Sequence, residues 1–122
     1  MRIKSNTYKD LEVWKKSISL TKTIYQITLQ LPTEEKYGLR SQLQRSAVSV
    51  AANIAEGQAR HSKKEFRQFL GISLGSLAEL ETLLIIGCEV SIIDESSIKD
   101  ALNMIDEITR MIKGIIKHLA MA

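Results

Sequence analysis

A chain of 122 residues fits one domain around one hydrophobic core and is too short for two. One Pro in the whole chain, and no apolar/polar alternation of strand length, exclude a β-sandwich or barrel and point to an all-α protein. A single Cys excludes an internal disulfide, so packing alone must hold the core, as in a reducing, cytoplasmic setting.

The net charge of +3 is divided unevenly. Residues 1–67 carry 13 Lys or Arg against 6 Asp or Glu, giving +7, whereas residues 68–122 carry 4 against 8, giving −4. A basic surface in the first half would suit an anionic partner, although Lys also serves simply to solvate helical faces. The opening MRIKSNTYKD lacks the apolar region of a signal peptide. The longest uncharged stretch, Gln68 to Ala78, is too short and too polar to span a bilayer. A soluble protein is expected.

The first helix is predicted over residues 8–31. Leu11, Trp14, Ile18, Tyr25 and Leu29 form one apolar stripe, and Val13, Leu20, Ile24, Ile27 and Leu31 a second. Lys15, Lys16, Lys22, Gln26 and Gln30 fill the remaining arc. The apolar arc spans roughly 200°, more than one neighbour in a bundle needs. Pro32 closes the helix, because it disfavours helix in the residue before it. A short turn at Glu34–Tyr37 leads to Gly38.

The second helix is predicted over residues 39–59. Its stretch Gln42 to Gly57 has no ordinary solvent face. Leu43, Val50 and Ile54 make one apolar stripe, and Val48, Ala51, Ala52 and Ala55 cover much of the opposite side. Between them runs a polar line of Gln42, Arg45, Ser49, Asn53 and Glu56. A helix of this kind is expected to be buried on several sides, with its polar line partnered.

Ser62 with Glu65 fits a capping box and opens the third helix, predicted over residues 63–90. Phe66, Leu70, Leu77, Leu80 and Leu84 form its main stripe, while Gly71, Gly75, Ala78 and Thr82 form a stripe of small residues that would admit a close neighbour. Asp94 is the predicted cap of a fourth helix over residues 95–119. There Ile98, Ala101, Leu102, Ile105, Ile108, Ile112 and Ile116 face inward. Lys99, Asn103, Asp106, Glu107, Arg110, Lys113 and Lys117 face outward. Four helices joined by short turns make an antiparallel up-down-up-down four-helix bundle, a single domain spanning residues 1–122. Helices one to three carry more apolar surface than a lone bundle should expose, so a homo-oligomer built through them is expected.

Catalytic residues are scarce. No Cys/His spacing suggests zinc, no glycine-rich loop follows a strand, and no cofactor is indicated. Cys88 lies on an apolar face, as a structural thiol does. Arg45, Ser49, Asn53 and Glu56, facing Ser76 and Glu79 across the bundle, read as a structural polar network fixing helix register or subunit pairing. Di-metal bundle sites pair Glu with His at Glu-x-x-His, which neither Glu56 nor Glu79 has. Arg110 and His118 share a face, as in some helical ribonucleases, but at a longer spacing than that chemistry uses. The densest basic cluster is Arg60, His61, Lys63, Lys64 and Arg67, joined by a strip of Lys15, Lys16 and Lys22. Excluding His61, these form the candidate nucleic-acid contacts, suited to phosphates rather than to bases, because aromatics for stacking are few.

Several phrases carry a family resemblance: Tyr8-Lys-Asp-Leu-Glu-Val-Trp14, Tyr37-Gly-Leu39, Gln42-Leu-Gln-Arg45-Ser, Ser49 through Asn53-Ile-Ala-Glu-Gly57, and Gly75-Ser-Leu-Ala-Glu-Leu80. Over nearly its whole length the chain resembles the four-helix-bundle proteins encoded by intervening sequences in bacterial 23S ribosomal RNA genes, the so-called S23 ribosomal protein family. The resemblance implies a ring-like homopentamer. It further implies a relation to the accessory variability proteins of diversity-generating retroelements, basic pentamers that bind nucleic acid and associate with a reverse transcriptase. On this resemblance Arg45, Ser49, Asn53, Glu56 and Glu79 are structural residues. The expected function is thus non-enzymatic: an oligomeric bundle that binds RNA or an RNA-handling protein. The alternatives are a protein–protein scaffold ring without nucleic acid and, further off, a ribonuclease.

Overall fold

Four α-helices follow one another through short turns in the computed structural model, which describes residues 7–35 and 38–121. They are α1 (Glu12–Thr28), α2 (Leu39–Ala59), α3 (Lys63–Glu89) and α4 (Glu95–Met121). Among the described residues, each helix packs against the next and α4 returns to α1, with no packing across either diagonal. This is the all-α antiparallel bundle that the hydrophobic spacing predicts. The opening residues 1–6 and the predicted turn residue Tyr37 lie outside the described residues.

The helix ends differ from the sequence reading where side chains bend the backbone. Residues Tyr8–Asp10 form a separate 3-10 turn, and Leu11, extended at ψ 127°, divides it from α1. The break lets Tyr8 meet Trp14 edge-on, with ring centroids 5.3 Å apart and planes at 62°. Six residues along an unbroken helix would set those rings about 240° apart. At its other end α1 stops at Thr28, not Leu31. Gln30 N–H bonds Ile27 O and Leu31 N–H bonds Thr28 O, both at 3.1 Å, tightening the chain before Pro32. Arg40 Nη2 then donates to Leu31 O at 3.1 Å, tying this exit to the start of α2.

The two later turns each rest on a residue in the left-handed region. His61 (φ 55°) links α2 to α3, and Ser62 Oγ accepts the Glu65 N–H at 3.3 Å as the predicted cap of α3. Ser91 (φ 64°) links α3 to α4, and Ile92 N–H reaches back to Gly87 O at 2.9 Å.

The core is drawn from one stripe of each helix. On α1 it is the second stripe, with Val13, Leu20, Ile24 and Ile27 buried, and Leu31 buried just beyond the helix end. On α4 the predicted inward residues Ile98, Ala101, Ile105, Ile108 and Ile112 are buried, and Leu102 and Ile116 are half-buried. The closest seam joins α2 to α3. Ser73 Oγ donates to Val50 O at 2.9 Å, and a Cβ built on Gly57 would lie only 2.6 Å from Phe69 Cβ.

Two expectations change. In the single chain α2 is not enclosed: Leu43, Val50 and Ile54 are buried, but Arg45, Val48, Ala52 and Glu56 stand exposed along its outer side. A helical wheel fixes the angles between residues and leaves open which arc meets a neighbour. The second concerns α3, which by length and composition is apolar enough to cross a membrane. The short uncharged stretch understates this, because only Glu79 and Glu81 interrupt a much longer apolar run. Leu70, Leu77, Leu80 and Leu84 nevertheless sit in the bundle core, where they are shielded by the other helices.

Candidate interaction surfaces

An apolar groove runs between α1 and α4, and most of the other large apolar side chains outside the core lie on the side of α1 to α3. Tyr25 and Leu29 of the α1 end, Val48 of α2, and Ile72, Ile85, Ile86 and Val90 along α3 are each between 42% and 77% exposed. On α4 only the terminal Met121 is comparable. The small stripe of α3 points outward as well: a Cβ at Gly71 or Gly75 would meet nothing within 4 Å.

A shallow groove of about 660 Å³ crosses this side, lined by Tyr25, Gln42, Arg45, Val48, Ser49 and Glu79 among others. Ser49 Oγ and Ser76 Oγ are hydrogen-bonded at 2.8 Å across the α2–α3 seam. Asn53 Nδ2 donates to Ser49 O at 2.8 Å and to Ser49 Oγ at 3.0 Å. The predicted polar line thus divides. Ser49, Asn53 and Ser76 are linked, Glu56 turns to Arg60, and Arg45 and Glu79 stand exposed without an ion-pair partner among the described residues.

Six of the seven candidate phosphate contacts lie towards the end of the bundle holding the α2–α3 turn and the start of α1, and Lys22 lies past the middle of α1. Arg60 is committed to acids: Nη2 lies 2.8 Å from Glu56 Oε2 and Nη1 3.5 Å from Glu65 Oε1, with the guanidinium 5.2 Å above the Phe69 ring. Lys15 pairs with Glu12 at 3.6 Å, and Lys16 with Glu107 of α4 at 3.2 Å. Lys63 and Lys64 are exposed in the first turn of α3, Arg67 is half-buried one turn on, and Lys22 is exposed on α1. None of these four has an ion pair among the described residues. Lys113, Lys117 and His118 of α4 come to the same end, since His118 shares an apolar groove with Leu11 and Val13. The sequence places Lys113 and Lys117 only on the outward face of the fourth helix; the antiparallel topology is the signal that places them beside the others.

Arg110 and His118 do not form a pair. Eight residues of helix separate them by about 12 Å along the axis, and Arg110 is held by Asp106, 3.1 Å from Nη2. Cys88 is half-buried between α3 and α4, and burial, then the carboxylates of Glu95, Asp94 and Glu89, push its thiol up from the ordinary range. Such a thiol is a poor nucleophile at neutral pH. Among the described residues no three His, Cys, Asp or Glu side chains come together as a metal site.

No curated protein matches the chain. The crystal structure of a protein of unknown function from the S23 ribosomal protein family of Bacteroides thetaiotaomicron is similar, with a TM-score of 0.79 at 28% identity, over 86% of this chain and 98% of that one. The sequence profile of the 23S rRNA-intervening sequence proteins matches residues 9–114, from within the 3-10 turn at Tyr8–Asp10 into α4. The chain therefore belongs to the 23S rRNA-intervening sequence protein family.

Proposed function

We propose that this protein is a non-enzymatic, self-associating helical bundle that offers a basic end to RNA or to an RNA-handling protein such as a reverse transcriptase. The observation that carries the reading is the concentration of large exposed apolar side chains on α1, α2 and α3, whereas α4 contributes only its terminal Met121. A contiguous apolar surface in water is costly and marks a contact. Helix α4 has one buried face and a charged outer one, which is how a helix with no further neighbour is built. Lys63, Lys64 and Arg67, unengaged by acids, support the RNA part of the reading, because phosphate contact needs cations free to exchange counterions.

Light scattering, with the absorbance ratio recorded on the untreated preparation, tests both parts. The expected result is a mass of several subunits, five by the family resemblance, with co-purifying nucleic acid. The same mass without nucleic acid, and no RNA retained at low salt, favours a scaffold ring. A monomer at all concentrations refutes self-association. Lys63→Glu, Lys64→Glu and Arg67→Glu together should abolish RNA retention; unchanged affinity would remove this cluster from the contact. The ribonuclease alternative predicts RNA cleavage that His118→Ala abolishes.

A further inference from the structure

We propose that Arg45 and Glu79 pair with each other across the contact between two copies of this chain. The inference rests on the self-association proposed above and names the charges that set its register. Both residues rim the same groove on the apolar side, Arg45 from α2 and Glu79 from α3. Both are exposed, and neither has an ion-pair partner among the described residues. Their neighbours on α2 behave differently: Glu56 and Arg60 neutralise one another at 2.8 Å.

Covering an apolar surface strips water from any charge on it, which is tolerable only where an opposite charge arrives at the same time. This face supplies one of each sign. A second copy therefore brings Glu79 to Arg45 and Arg45 to Glu79 if the contact is twofold, or one such pair at every junction of a ring. An anionic partner such as RNA would be opposed by Glu79. The rest of the groove is prepared for burial. Ser49, Asn53 and Ser76 already satisfy one another. Val48 and Ile72 supply exposed apolar area close by, and the space over Gly75 lets a neighbouring backbone approach closely.

The test uses R45E and E79R, separately, mixed, and combined in one chain, with subunit mass followed by light scattering across a dilution series. Circular dichroism confirms the fold of each. Either single variant should raise the concentration needed for assembly by about tenfold or more, since it sets like charges against each other. Mixing the two single variants should bring assembly back towards the parent's, because opposite charges then meet between different chains, at both pairs of a twofold contact and at all but one junction of a five-membered ring. If both single variants assemble like the parent, the pair is refuted and self-association stands. If the doubly substituted chain recovers and the mixture assembles no better than either single variant alone, the two residues pair within one subunit and the proposal fails. A parent that is monomeric throughout overturns this inference together with the reading beneath it.

Discussion

Replacing Gly57 by Ala perturbs the close approach of α2 to α3. The new Cβ would lie 2.6 Å from Phe69 Cβ, 3.1 Å from Phe66 Cδ1 and 3.4 Å from Phe66 Cα. A ring can rotate away, but the Phe69 Cβ is fixed to the α3 backbone, so α3 itself must retreat from α2. Overpacking of this kind costs about 1–3 kcal/mol. Ala recovers up to about 1 kcal/mol over Gly within a helix, and less at Gly57, near the end of α2. The net loss should be about 1–2 kcal/mol, lowering Tm by roughly 4–10 °C. Thermal and urea unfolding followed by far-UV circular dichroism measures it, at one fixed subunit concentration because association adds to apparent stability. Gly114→Ala is the matched control: its Cβ meets nothing within 4 Å, so helix propensity alone should act and raise stability by up to about 1 kcal/mol. A Gly57→Ala protein as stable as its parent, beside a stabilised Gly114→Ala protein, would refute the tight seam.

Ser91→Gly should stabilise the fold by about 0.5–1 kcal/mol, because φ 64° strains a residue with a Cβ and does not strain Gly; a lower urea midpoint would contradict this. Asn53→Leu removes two hydrogen bonds to Ser49 and should cost about 1 kcal/mol or shift subunit mass. A melting curve and mass matching the parent would sink the polar link. The raised thiol of Cys88 makes the folded state hold its proton more tightly than the unfolded chain does. Its contribution to stability is therefore complete below the ordinary thiol range and is lost as pH rises through the folded value. Alkylation with iodoacetamide across pH 7–10 should rise at higher pH in the native protein than in urea; coincident profiles would show that the burial has no such effect.

The legible parts of this chain were those in which one local pattern decides the outcome. Helix α4 has a single apolar stripe and an unbroken charged face, so both its inward and outward residues follow from spacing alone. The α3 cap at Ser62 is read from two residues three apart. Where two local choices competed, sequence was silent. The two stripes of α1 are equally apolar, yet only one is buried in the subunit. The Tyr8–Trp14 contact depends on a bend at Leu11 that no propensity announces. On the basic surface, the Arg60–Glu56 pair is four residues apart on one helix and could have been foreseen. The Lys16–Glu107 pair joins the first helix to the last, and only the completed bundle brings it together.

Consecutive helices of this bundle pack on one another through short turns, with α1 and α4 alone meeting at long range. Contacts of such short sequence separation form fast, on the microsecond to millisecond scale typical of helical bundles. Encounter between molecules is slower, taking milliseconds to minutes and lengthening with dilution. Where copies associate as proposed, each new subunit lives for a time fully folded with Ile72, Ile85, Ile86 and Val90 in water. During that wait it is open to chaperones and proteases that read apolar surface. The steady amount of protein in a cell should then rise more steeply than its rate of synthesis, since faster synthesis shortens the wait.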